Sequence, residues 1–162
     1  MTFYTQHDLC SVAWRRYQHL IFREAEVLDA PSTIAGRGLF VLNGLMPNQV
    51  VVEYNGVALN NEQAERAADN SCHVRMNMDT VVDGKDVGVG FLANHSCNPN
   101  SCYKTIKLGG REKKEVVFIY TKKRVYAGSR ITVDYGWTTD PSMRKESLVE
   151  CLCEEPNCRY LI

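Results

Sequence analysis

From residue 74 to residue 133 the chain is a succession of short β-rich runs, at residues 74–78, 81–82, 103–108, 116–121 and 130–133. Gly, Asn or Pro lies in each of the longer stretches that separate them. Parallel neighbours need a crossover of a dozen or more residues, usually a helix, and no strand–helix–strand alternation is visible here. A doubly wound parallel sheet is therefore excluded, and small, mostly antiparallel sheets are expected. The amino-terminal half adds strands at 25–28, 39–42 and 50–54, with turns expected at Asp29-Ala30-Pro31-Ser32 and Ala35-Gly36-Arg37-Gly38. Asn55-Gly56 carries a strong hairpin signal. Two helices complete the reading, over residues 8–24 with Asp8 as cap and over 61–69 with Asn61 as cap. The expected class is mostly β with a few short helices.

With 162 residues and 44% hydrophobic side chains, the chain is long enough to bury a real core as one domain with a small appendage. Nineteen basic and nineteen acidic side chains give a formal net charge of zero. That balance argues against a nucleic-acid grip, which needs a concentrated basic face. The basic stretches at 111–114 and 122–124 read as solvated strand ends or turns. No apolar run approaches the roughly 18 residues of a membrane span, and the polar first ten residues lack a signal-peptide core. An intracellular protein is expected, in which clustered cysteines point to metal rather than disulfides.

Cys151, Cys153 and Cys158 form a C-x-C-x4-C array within eight residues. Three such thiolates reach one tetrahedral zinc at about 2.3 Å, and a structural site wants a fourth donor. Cys97, in a tight polar turn just before Asn98-Pro99, is the best candidate; Cys10, Cys72 and Cys102 read as small buried hydrophobes. The segment Asn94-His95-Ser96-Cys97-Asn98-Pro99-Asn100 is too rich in Asn and Pro for a regular element, so it must be a loop whose polar groups bond one another, backbone or a ligand. It emerges from the apolar run 87–93. Further on, Asp134-Tyr135-Gly136-Trp137 ends a strand with two aromatics around a glycine, a pattern that by itself reads as half-buried core.

In this order and spacing, these elements resemble the SET-domain methyltransferases. The Gly36-Arg37-Gly38 turn looks like that family's first cofactor motif, with Arg37 where an aromatic is common. Glu53-Tyr54-Asn55-Gly56 is similar to its E-Y-x-G segment, residues 94–100 to its N-H-S-C-x-P-N loop, and Asp134-Tyr135-Gly136 to its D-Y-G end. The cysteine array looks like the post-SET tail. The resemblance covers about residues 25–158 and leaves 1–24 unexplained. It implies a β-clip with a pseudoknot in which the Tyr135 segment threads beneath the preceding loop. The implied division is a helical extension at 1–24, a SET domain at 25–139 and a zinc-bound post-SET segment at 140–162.

The resemblance further implies S-adenosylmethionine as methyl donor, held by Gly36, Arg37, Gly38, Asn94, His95 and Tyr135, and one structural zinc on Cys97, Cys151, Cys153 and Cys158. Tyr135 would be the catalytic tyrosine, with Tyr54 and Tyr103 beside it and Tyr54, Tyr103, Val133 and Trp137 walling the channel for a substrate lysine. A neutral amine is needed for attack, so desolvation and the sulfonium charge must lower the lysine pKa. No Asp/His pair stands out as a general base. Tyr103 and Tyr54 are expected to restrict the product to mono- or dimethyl-lysine. The expected client is a histone tail in the nucleus, bound in a groove lined by residues 70–90 and 137–150, where Asp140, Glu146 and Glu150 could attract basic residues. Two rival readings are an inactive SET-like module that binds a lysine peptide and a zinc-stapled interaction domain without cofactor.

Overall fold

The computed structural model describes residues 24–108, 114–136 and 149–162. The helix expected over 8–24 lies outside them save for Glu24, which is not helical, and Cys10, Trp137, Asp140 and Glu146 lie outside them altogether. Strands β1 (Val27–Pro31) and β2 (Arg37–Val41) form an antiparallel hairpin. Strand β3 (Val50–Glu53) pairs with β9 (Lys114–Thr121), which pairs with β8 (Ser101–Leu108), so β9 is central in a three-stranded sheet. A second sheet places β6 (Thr80–Asp83) between β4 (Val57–Asn60) and β5 (His73–Arg75). Among the described residues there is one α-helix, α1 (Asn61–Arg66), and one short 3-10 turn at Gly90–Leu92.

The alternation along β9 explains its central place. Val117 and Ile119 point into the main core with Leu39, Val41, Val51, Ile131 and Val133, while Val116, Phe118 and Tyr120 build a second cluster with Val50. Successive side chains of a strand face opposite ways, so a strand apolar at every position needs cover on both faces. Each fully buried aliphatic contributes roughly 1.5–3 kcal/mol.

Three local expectations are corrected. Asn55-Gly56 is not a hairpin, because Glu53 pairs with Phe118 while Val57 pairs with Asp83 in the other sheet. Burial overrides turn chemistry here: Val50, Val51 and Val52 are buried, whereas β4 is largely exposed and is no partner for them. The expected turn at Asp29–Pro31 is instead strand, and Ser32 N–H closes the turn on Gly36 O at 2.9 Å. Pro31 is tolerated because β1 is an edge strand. Helix α1 is capped by Asn60 rather than Asn61 and ends at Arg66 rather than 69, with a reciprocal Asn60–Gln63 capping box. Asn61 is occupied elsewhere, donating to Met78 O and accepting from Arg75.

The one parallel pairing among the described residues positions the site. Strand β10 (Thr132–Val133) lies beside β7 (Asn94–His95). Ile131 N–H donates to Leu39 O at 2.7 Å on one side, and Ser96 N–H to Val133 O at 2.9 Å on the other. Asn100 clamps the segment, donating to Arg130 O at 2.7 Å and accepting from Thr132 N–H at 2.9 Å. The chain before Tyr135 is thus threaded between β2 and the 94–100 loop, the expected pseudoknot.

Candidate active site and metal centre

Asn94 ties the loop to the glycine turn. Its amide donates to Ala35 O and Arg37 O, both at 3.1 Å, and its Oδ1 accepts from Ser32 Oγ at 2.6 Å. A Cβ on Gly38 would lie 2.7 Å from Asn94 Oδ1, so Gly38 is required by the asparagine itself. Gly36 differs: its φ of +48° is the left-handed region and nothing lies within 4 Å of its would-be Cβ, which leaves an open backbone cradle. Arg37 turns away from this cradle and pairs with Asp29 on β1.

Tyr54, Tyr103 and Tyr135 converge on one pocket, with His73, Phe91 and Ser71 also in its wall. Tyr54 and Tyr103 meet edge to face at 5.4 Å between ring centroids. Tyr54 Oη donates to Cys72 O at 2.7 Å, and Tyr135 Oη to Ala93 O at 3.1 Å. Burial is the main cause that pushes all three phenols up, that of Tyr135 to about 12, which keeps them neutral at ordinary pH. Val133, expected in the channel wall, is instead fully buried in the core and pairs with His95 across β7 and β10.

The structure brings together one pair that sequence spacing does not single out. His73 and Asp83 are register partners on β5 and β6, with Nε2 3.9 Å from Oδ2. Only the strand pairing reveals it.

His95 joins the pocket to the cysteines. Its Nδ1 accepts from Tyr135 N–H at 3.2 Å, and its Nε2 lies 3.2 Å from Arg159 Nη2 and 3.4 Å from Cys97 Sγ. The four sulfurs of Cys97, Cys151, Cys153 and Cys158 lie within 4.8 Å of one another, with Cys97 and Cys151 3.8 Å apart. Tetrahedral zinc with bonds of about 2.3 Å sets its sulfurs about 3.8 Å apart, so the cluster fits that ion after a small contraction. Backbone N–H groups of Arg159 and Tyr160 point at Cys97 and Cys158 Sγ, each at 3.3 Å, the donors that thiolates need. Burial alone would raise the Cys97 thiol, but the Arg159 backbone and the His95 ring outweigh it and hold it below the ordinary value. Cys72 and Cys102 are half-buried thiols outside the cluster rather than fully buried ones, since β8 is an edge strand and Cys72 precedes β5.

Two further residues fasten the tail and carry no sequence signal beyond proximity to cysteines. Arg159 Nη2 donates to Asp134 Oδ1 at 2.7 Å, beside the D-Y-G end. Glu155 accepts from Ser96 Oγ at 3.4 Å and from Asn98 at 3.2 Å.

Among curated proteins, the chain is 30% identical over 146 residues to the "Histone-lysine N-methyltransferase, H3 lysine-4 specific" of Saccharomyces cerevisiae, an alignment that covers 85% of this chain and 13% of that protein. It is 32% identical over 154 residues to the protein of the same name from Cryptococcus neoformans, covering 88% of this chain and 10% of that one. With "Histone-lysine N-methyltransferase SETD1" of Drosophila melanogaster it shares 29% identity over 153 residues, 89% of this chain and 9% of that protein. The chain therefore spans only about a tenth of the length of these relatives. A family profile, the SET domain, matches residues 36–136, from the open glycine turn to the end of the threaded segment. The chain belongs to the SET-domain family.

Proposed function

We propose that this chain is a protein-lysine N-methyltransferase that carries a methyl group from S-adenosylmethionine to a lysine of a histone tail. The observation that carries this reading is the convergence of Tyr54, Tyr103 and Tyr135 on one pocket next to the Asn94–His95 strand. Lysine 4 of histone H3, the site for which the fungal relatives are named, is the first candidate. A nuclear, chromatin-linked setting follows from such a client.

The cofactor, when bound, supplies an electrophilic methyl on a positively charged sulfur. Gly36 offers the open backbone for it, and Asn94 holds that turn through its side chain. His95 fixes the Tyr135 backbone, which orients the phenol at the pocket floor. The phenol faces and hydroxyls suit a lysine stem and its polarised methyl. Alignment supplies most of the acceleration, on the order of 7–11 kcal/mol for well-oriented partners. Zinc on the four cysteines would act as a staple, holding residues 149–162 against the 94–100 loop.

Tyr103 and Tyr54 restrict the product to mono- or dimethyl-lysine by occupying space and bonding the amine. The test is labelled methyl transfer to core histones by the zinc-loaded protein, with Tyr135→Phe alongside. Label on one histone that vanishes in the variant supports the reading, and no label on any histone, with no saturable cofactor binding, rejects it. In the same assay Tyr103→Phe raises the higher methylation states in mass spectra, and an unchanged product distribution removes the tyrosine restriction.

A further inference from the structure

This inference rests on the methyltransferase reading and concerns how the substrate amine loses its proton. A lysine ammonium has a pKa near 10.4, so at neutral pH fewer than about one amine in a thousand is ready to attack. Something must take that proton inside the pocket or before entry. The three tyrosines are poor acceptors, because a phenol must first ionise and burial opposes it.

His73 is differently placed. It lines the same pocket, and its Nε2 is buried with no hydrogen-bond partner. Asp83 Oδ2, from the adjacent strand, stands 3.9 Å away, too far for a hydrogen bond but close enough to favour the ring proton on Nε2. That tautomer leaves Nδ1 with the lone pair, and no described residue bonds to it. The titratable groups that share the pocket wall with His73 are Tyr54, Tyr103 and Tyr135; Asp83 is its register partner on β6 and Cys72 its chain neighbour. Asp83 is the one carboxylate among them. A carboxylate behind an imidazole is the arrangement that orients a general base and stabilises the imidazolium it becomes.

We propose that His73, backed by Asp83, accepts the proton of the substrate ammonium. The ammonium N–H bond breaks, its electron pair stays on the amine nitrogen, and a new N–H bond forms at His73 Nδ1. Asp83 then balances the imidazolium, which returns the proton to water when the pocket opens. The sulfonium charge of the bound cofactor lowers the ammonium pKa toward the imidazole range, which brings the transfer close to balance.

The experiment compares zinc-loaded wild type, His73→Gln and Asp83→Asn in methyl transfer to a histone H3 tail peptide at saturating S-adenosylmethionine, from pH 5.5 to 9. Wild-type kcat is expected to fall below an inflection in the histidine range, near pH 6.5. His73→Gln loses the inflection and about 100-fold in kcat at pH 8, with the peptide KM little changed. Asp83→Asn stays active and moves the inflection down by about one pH unit, as expected for losing a charge 3.9 Å away across a partly solvated gap. If His73→Gln keeps the wild-type inflection, or Asp83→Asn leaves it unmoved, the inference is wrong while the methyltransferase reading stands. Wild type that transfers no methyl at any pH overturns both.

Discussion

Replacing Asn94 by alanine tests whether one side chain holds the glycine turn against the threaded segment. Asn94 is 6% exposed and its amide makes three hydrogen bonds, to Ser32 Oγ at 2.6 Å and to the carbonyls of Ala35 and Arg37 at 3.1 Å. At roughly 0.5–1.5 kcal/mol for each bond, with two carbonyls left short of donors, Asn94→Ala should cost about 2–4 kcal/mol. For a domain of this length that corresponds to a fall in Tm of about 5–15 °C. Asn98 is the internal comparison: it lies in the same loop, is exposed, and its side chain donates to Glu155 at 3.2 Å. Asn98→Ala should stay within about 0.5 kcal/mol of the parent. The assay is urea unfolding of the zinc-loaded protein, with S-adenosylmethionine affinity measured on the folded baseline. Affinity should drop for Asn94→Ala, because the open Gly36 cradle loses its support. Equal unfolding midpoints for the two variants would refute the reasoning.

Gly56→Ala puts a Cβ 2.2 Å from the Asp83 carbonyl oxygen, a backbone atom that yields only if β4 and β6 separate. A loss above about 2 kcal/mol is expected in urea unfolding, and a neutral substitution would mean the strands do not approach so closely. Metal analysis should find one zinc per chain and Cys151→Ser should lose it, with a large fall in Tm on chelation; a melt indifferent to chelator would remove the staple. The tyrosines predict an alkaline transition of stated sign. Burial first, then the nearby Cys72, raises the folded Tyr135 to about 12, above the unfolded value near 10. Its stabilising contribution is therefore whole below about pH 10 and is lost as the pH rises through about 12. Absorbance titration should show Tyr54, Tyr103 and Tyr135 still protonated at pH 10.5, and full ionisation of all eight tyrosines there would contradict it.

The chain's motifs were readable because their chemistry is local. Three cysteines in eight residues point to a metal, and a run so rich in Asn and Pro points to a loop for most of its length. The fourth cysteine of the cluster, Cys97, was legible by the tetrahedral requirement, and the antiparallel strands by their short, broken runs. Arg159 and Glu155 were not legible, since a charged residue beside a cysteine looks the same on any surface until the tail is folded over the loop. His73 and Asp83 escaped for a related reason: ten residues apart, they become neighbours only through the register of β5 on β6. The Asn55-Gly56 turn misled because a dipeptide's preference is worth about a kilocalorie, while three buried valines beside it are worth several. Sequence alone determined which chemical groups this protein carries and the element types that hold them. Tertiary structure decided which groups meet, because strand pairing and the threaded segment join residues whose separation along the chain holds no trace of their contact.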